Sequence, residues 1–163
     1  MGNGLKIGLS WRGGVRQTDQ ASRSIALEML LPLLRIAGCN FVSLQYGEQE
    51  KEVADMRSGH GVTLESWPDA LLSYDETAAL TSAMDLVLSV DTSIAHLAGA
   101  MGVPTWAMLP ANAEWRYRIP GANMPWYPGM RIFRRQRGTD WVPAIEEVAK
   151  ELRALLRAKE LSS

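Results

Sequence analysis

The chain has 163 residues, 47% of them hydrophobic, and a formal net charge of −1. That length and balance suit one domain with a substantial buried core and disfavour a disordered chain. Nearly equal basic and acidic counts argue against a general nucleic-acid binder. No apolar run approaches the roughly 20 residues that cross a bilayer, and the lone Cys39 leaves no internal disulfide and no cysteine-rich metal site.

In chain order, LKIGLS at 5–10 is the first expected strand, and it runs into WRGGVRQTDQ, a loop of glycines, arginines and polar groups. From Ile25 to Ala37 apolar residues recur at helical spacing, with Pro32 as a kink and Gly38 as the stop. NFVSLQ is the second strand. A charged surface helix follows over 48–57, then a short third strand, VTLE, then the helix ETAALTSAM with Asp75 as its N-cap. DLVLSV comes next, and its Leu86, Val87, Leu88 and Val90 fill both faces, as in a parallel strand covered by helices on each side. A helix over 92–101, the strand PTWAML and a loop of about twenty residues lead to a last strand, MRIFR. Asp140 opens a closing helix whose Ile145, Val148, Ala149, Leu152, Leu155 and Leu156 form one stripe.

With no internal repeat and no interior linker, 1–163 reads as a single Rossmann-like α/β domain. About six strands alternating with helices predict a doubly wound, mostly parallel sheet in the order 3-2-1-4-5-6. In that order the first and fourth strands are neighbours. The loop after Ser10 and the turn after Val90 then meet at the carboxyl edge, where such sheets bind ligands.

Charge is segregated along the chain: residues 1–25 carry four Lys or Arg against one acid, 26–110 three against eleven, and 111–163 ten against six. The basic loop after the first strand holds Ser10, Arg12, Gly13 and Gly14, with Arg23 at the mouth of the first helix. Glycines let a backbone approach a ligand, and guanidinium groups match phosphate oxygens in pairs. The loop is neither G-x-G-x-x-G nor G-x-x-x-x-G-K-[ST], so a dinucleotide fingerprint and a Walker A loop are both absent.

The facing stretch is VDTSIAHLAGAMGVP, residues 90–104. Where strand becomes helix, the first backbone N–H groups carry the positive end of the macrodipole toward the crevice. Thr92, Ser93 and His96 can add donors to an anion there, while Asp91 reads equally as a helix cap that would compete for the same N–H groups. His96 on its own also fits a packed, hydrogen-bonded histidine. In the long loop, Trp115, Arg116, Tyr117, Trp126 and Tyr127 suit a sugar or a base, or else pin the loop to the domain; Trp126, between Pro125 and Pro128, favours pinning.

The succession IGLSWRGG, ASRSIALEMLLPLL, FVSLQYG, DLVLSVDTSIAHLAGAMGVPTWAML, EWRY and MPWYPGMRIF, with a closing DW-helix, resembles the carboxyl-terminal half of bacterial glycosyltransferases related to heptosyltransferases, glycosyltransferase family 9. It is most similar to the forms fused behind tetratricopeptide repeats. The resemblance implies the donor-binding half of a GT-B enzyme, in which two Rossmann-like domains face each other across a cleft. Asp91, Thr92, Ser93 and His96 match the D-T-x-x-x-H turn near the donor diphosphate. Ser10, Arg12 and Arg23, with Gly13 and Gly14, are then the donor-facing loop, and Gln45, Glu65, Trp115 and Arg116 are candidates for contacts to the sugar or base. Ser93 stands where the family commonly has Gly, and Arg23 replaces the family's first-loop lysine by position only.

The expected substrate is a nucleotide-diphosphate sugar, with no separate cofactor and no metal. The expected partners are an N-terminal acceptor domain, which would bring the catalytic base, and tetratricopeptide repeats; without them the domain is expected to be inactive. MGNGLK lacks the apolar core of a signal peptide, so the expected location is cytoplasmic. Two other functions stay open: a non-catalytic Rossmann-like module packing on a repeat domain or partner, and half of a sugar epimerase.

Overall fold

The computed structural model describes residues 4–13, 20–113, 115–117 and 123–161. The strands are β1 (Leu5–Ser10), β2 (Cys39–Ser43), β3 (Leu86–Val90), β4 (Thr105–Leu109), β5 (Asn123–Met124) and β6 (Tyr127–Arg134). The helices are α1 (Leu31–Leu34), α2 (Glu50–His60), α3 (Tyr74–Ser82), α4 (Ser93–Ala100) and α5 (Val142–Glu160). Short 3-10 turns occupy Leu27–Leu30, Pro68–Leu71 and Trp115–Tyr117.

The sheet order is β2-β1-β3-β4-β6-β5, parallel through the first five strands and antiparallel at β5. This is the doubly wound α/β arrangement. Ser10 lies beside Ser89 in the register, so β1 and β3 end together. All five residues of β3 are buried. Leu86, Leu88 and Val90 face the side covered by α1 and α5, whereas Val87 packs with Ile94 and Ala98 of α4 on the other. Gly8 has a packing cause: a Cβ there would lie 2.4 Å from Leu44 Cδ1.

Several boundaries differ from the sequence expectations. The helix expected over 25–37 is a 3-10 turn followed by the single α-turn α1, with Pro32 in its first turn. Proline lacks an N–H and its ring clashes with the carbonyl four residues back, so one continuous helix through Pro32 is disfavoured. The third expected strand shrinks to one parallel bridge, Val42 to Glu65, closed by Glu65 N–H on Phe41 O (2.9 Å) and Ser43 N–H on Glu65 O (2.7 Å). The N-cap of α3 is Ser73 rather than Asp75. Asp140 does accept Val142 N–H at 3.0 Å, although Trp141 holds the cap position of α5.

Candidate functional site

A crevice of about 750 Å³ opens at the carboxyl ends of β1 and β3, where the strand order reverses. The end of β1 contributes Ser10 to it, the loop after β1 contributes Arg12, Gln20 and Arg23, and the segment after β2 contributes Gln45 to Glu48. The β3–α4 turn contributes Asp91, Thr92, Ser93 and His96, and Arg116 reaches in from the segment after β4. Glu65 is not among them: it lies at the sheet edge in a separate groove with Glu50 and Arg57. Trp115 also stays outside the lining, 66% exposed, with its ring 5.7 Å from the Arg116 guanidinium carbon. Gly14 lies outside the described residues.

The β1 loop is held by side chains far away in sequence. Gln45 is buried, and its Oε1 accepts from Trp11 N–H (3.0 Å), Arg12 N–H (2.8 Å) and Ser10 Oγ (3.4 Å). Its Nε2 donates to Arg12 O (3.3 Å) and Tyr46 O (3.0 Å). Gln45 therefore shapes the crevice wall, and both ends of its amide are already engaged. Glu52 of α2 takes two further contacts, Trp11 Nε1 at 2.7 Å and Arg12 Nη1 at 3.1 Å, while Arg12 Nη2 donates to Glu48 O.

Gly13 is buried against the facing turn. A Cβ on it would come 2.8 Å from Asp91 O and 3.0 Å from Arg23 O, so its role here is close approach of two chain segments. Arg23 then joins them: its Nη2 lies 3.0 Å from Asp91 Oδ2 and 2.9 Å from Asp91 O. Asp91 is thus an ion-pair partner and not the helix cap. The N-cap of α4 is Thr92, extended at φ −138°, whose side chain makes no capping hydrogen bond and instead lies 2.9 Å from Ser89 Oγ.

His96, in the first turn of α4, places Nε2 3.1 Å from Tyr117 Oη and Nδ1 3.3 Å from Tyr127 Oη. Tyr127 can sit this close because residue 99 is glycine; a Cβ there would lie 2.7 Å from its ring Cγ. Arg134 Nη2 in turn donates to Tyr117 O, and burial lowers the pKa of that guanidinium. Glu48 and Glu52 were not legible as site residues; Tyr117 and Tyr127 stood among the long-loop aromatics, but their pairing with His96 was not legible, since no local spacing announces a contact across 20 to 40 residues.

Chemically, the crevice offers three guanidinium groups, the hydroxyls of Ser10, Thr92 and Ser93, and the start of a helix, an arrangement suited to an anionic ligand. Among the described residues no three His, Cys, Asp or Glu side chains converge as a metal-binding group. No helix among them is long and apolar enough to cross a membrane.

Residues 70–139 match the family model "Glycosyltransferase family 9 (heptosyltransferase)". The stretch contains α3, β3, α4, β4, β5 and the whole of β6, and with them Asp91 to His96 and Arg116; the β1 loop lies outside it. Over 157 residues, 94% of its length, the chain is 34% identical to "Protein FlbA" of Caulobacter vibrioides (strain ATCC 19089 / CIP 103742 / CB 15). It spans 26% of that relative, about a quarter of the longer protein. The matched part of the chain is glycosyltransferase-like.

Proposed function

We propose that this chain is the nucleotide-sugar-binding half of an inverting, metal-independent GT-B glycosyltransferase, with the donor diphosphate seated between the β1 loop and the start of α4. The observation that carries this reading is the coincidence of three features at one point. The crevice lies at the switch in strand order, the first turn of α4 opens there, and Arg12, Arg23 and Arg116 line it. The family match over 70–139 supports the same chemistry.

In such a transfer an acceptor hydroxyl oxygen bonds to the anomeric carbon of the sugar as the bond from that carbon to the diphosphate oxygen breaks. The nucleoside diphosphate leaves with the electron pair, and a base takes the hydroxyl proton. The part of this chain is to stabilise the charge that gathers on the leaving phosphate oxygens, through the helix start and the guanidinium groups. The base and the acceptor site belong to a facing half-domain, so the chain alone binds the donor without transferring it. Tetratricopeptide repeats joined to that half, and a cytoplasmic location, complete the proposal. The nucleotide sugar is a substrate, and no separate cofactor is invoked.

Calorimetric titration with UDP, GDP and ADP, followed in parallel by amide shifts, tests this. Binding of at least one nucleotide, with shifts centred on residues 10–13, 20–23 and 91–96, is the expected result. No binding, or shifts centred elsewhere, overturns it.

One observation favours a second reading, a non-catalytic module that docks on a partner. Trp115 and Trp126 are 66% and 62% exposed, and large aromatics presented to solvent are common anchors at protein interfaces. Under that reading Trp115→Ala and Trp126→Ala abolish association while nucleotide binding is absent from the start.

A further inference from the structure

We infer that Ser89 is a positioning residue for the crevice: by holding the Thr92 hydroxyl beneath the start of α4, it keeps Thr92 from capping that helix and leaves the first-turn N–H groups to an anion; this rests on the crevice being a nucleoside-diphosphate site. Ser89 is fully buried in β3. It stands two residues after Val87, so its side chain points to the same face of the sheet, the one on which Val87 packs with Ile94 and Ala98 of α4. Its Oγ lies 2.8 Å from Val90 O and 2.9 Å from Thr92 Oγ1.

A hydroxyl has one proton to donate, and a carbonyl oxygen only accepts. The contact with Val90 O therefore uses the Ser89 proton, and Thr92 donates its own to Ser89 Oγ. A threonine at an N-cap ordinarily turns its hydroxyl oxygen over the helix start and accepts from the second or third helical N–H, here that of Ile94 or Ala95. Thr92 makes no such bond, and Asp91 before it is paired with Arg23 at 3.0 Å. The first turn of α4 lines the crevice through Ser93 and His96. An anion that reaches its N–H groups thus has no threonine cap to displace, and a residue buried in the sheet below is what keeps the cap away.

A double-mutant cycle with a structural readout tests this. Uridine diphosphate is titrated into the unaltered chain, Ser89→Ala, Thr92→Val and the double variant Ser89→Ala/Thr92→Val, and amide hydrogen exchange of each free chain is followed at residues 94 and 95. Without Ser89 the Thr92 oxygen is released to cap, and the diphosphate must displace it. Ser89→Ala is expected to weaken binding about fivefold and to slow exchange at 94 and 95. In the Thr92→Val background, which has no hydroxyl to cap with, the same change is expected to alter affinity by less than about twofold and to leave exchange as it was. Equal losses in both backgrounds, or no loss in either, overturn the role of Ser89. A loss that depends on Thr92 but comes without slower exchange overturns it as well, because Ser89 then serves a direct contact made by the threonine. Ser89→Cys, with a much weaker hydrogen-bonding group, is read in the same way should Ser89→Ala fold poorly. If the unaltered chain binds no uridine diphosphate, the crevice reading falls, while exchange still decides the positioning: slower exchange at 94 and 95 in Ser89→Ala supports it, and unchanged exchange overturns it.

Discussion

Arg23 and Asp91 stand 68 residues apart and are in direct contact, with Nη2 of the arginine 3.0 Å from the Asp91 carboxylate and 2.9 Å from the Asp91 carbonyl oxygen. One guanidinium thereby ties the end of the β1 loop to the turn from which α4 springs. The Asp91 side chain is 2% exposed and that of Arg23 is 14% exposed. Both charges have given up most of their water, and the pairing offsets part of that loss.

Removing one partner alone is therefore expected to be costly. Arg23→Ala removes the ion-pair partner of a buried carboxylate and should destabilise the fold by about 3–5 kcal/mol, measured by chemical denaturation. Arg23→Met with Asp91→Asn, which removes both charges at similar volume, should recover much of that loss. Recovery would show that the lost ion pair at a buried carboxylate, and not the missing side-chain volume, is the larger part of the penalty.

Gln45 makes a different kind of prediction, because it shapes the crevice through the main chain of residues 11 and 12. Gln45→Met keeps the volume and removes every hydrogen bond. The orphaned Trp11 and Arg12 amides should cost about 1–3 kcal/mol each at most, and binding of UDP should weaken together with stability. A drop in affinity with an unchanged melting curve would instead assign Gln45 to the ligand.

Two helical glycines should respond in opposite directions. In α2, a Cβ added at Gly59 would meet nothing within 4 Å, so Gly59→Ala should stabilise by about 0.5–1 kcal/mol through helix propensity. In α4, the same change at Gly99 drives a Cβ to 2.7 Å from the Tyr127 ring and should destabilise by about 1–3 kcal/mol despite that propensity gain. Thermal melts of the two variants check the pair.

Burial pushes the Cys39 thiol up to about 11. At pH 8 only about a thousandth of it is thiolate, so alkylation by iodoacetamide should be far slower than for a free thiol, and should speed up in denaturant. The linkage has a definite sign. The unfolded thiol ionises near 9.0, so between there and about 11 the unfolded state holds fewer protons and stability falls as pH rises. Cys39→Ser should flatten that part of the stability profile.

Much of the architecture is legible in the residues alone. The unbroken apolar run of β3 announces a strand covered on both faces, and the strand-helix alternation puts the ends of β1 and β3 side by side. The reduced third strand and the broken first helix are less legible, since pairing at a sheet edge and tolerance of Pro32 both depend on neighbours. The same division runs through the site. Ser10, Arg12, Arg23, Gln45, Asp91, Thr92, Ser93, His96 and Arg116 do line one crevice, whereas Gly13, Glu65 and Trp115 do not.

By itself, then, the sequence determined the class of fold and the edge of the sheet at which polar and basic loops gather, because hydrophobic periodicity and strand alternation are local patterns read along the chain. Only the tertiary structure decided what each polar group does there. Arg12 pairs with Glu52, Arg23 pairs with Asp91, and His96 bridges Tyr117 and Tyr127. The reason is physical: a buried charge or hydrogen-bonding group must find a partner, and which partner comes within about 3 Å is set by the folding of distant segments onto one another.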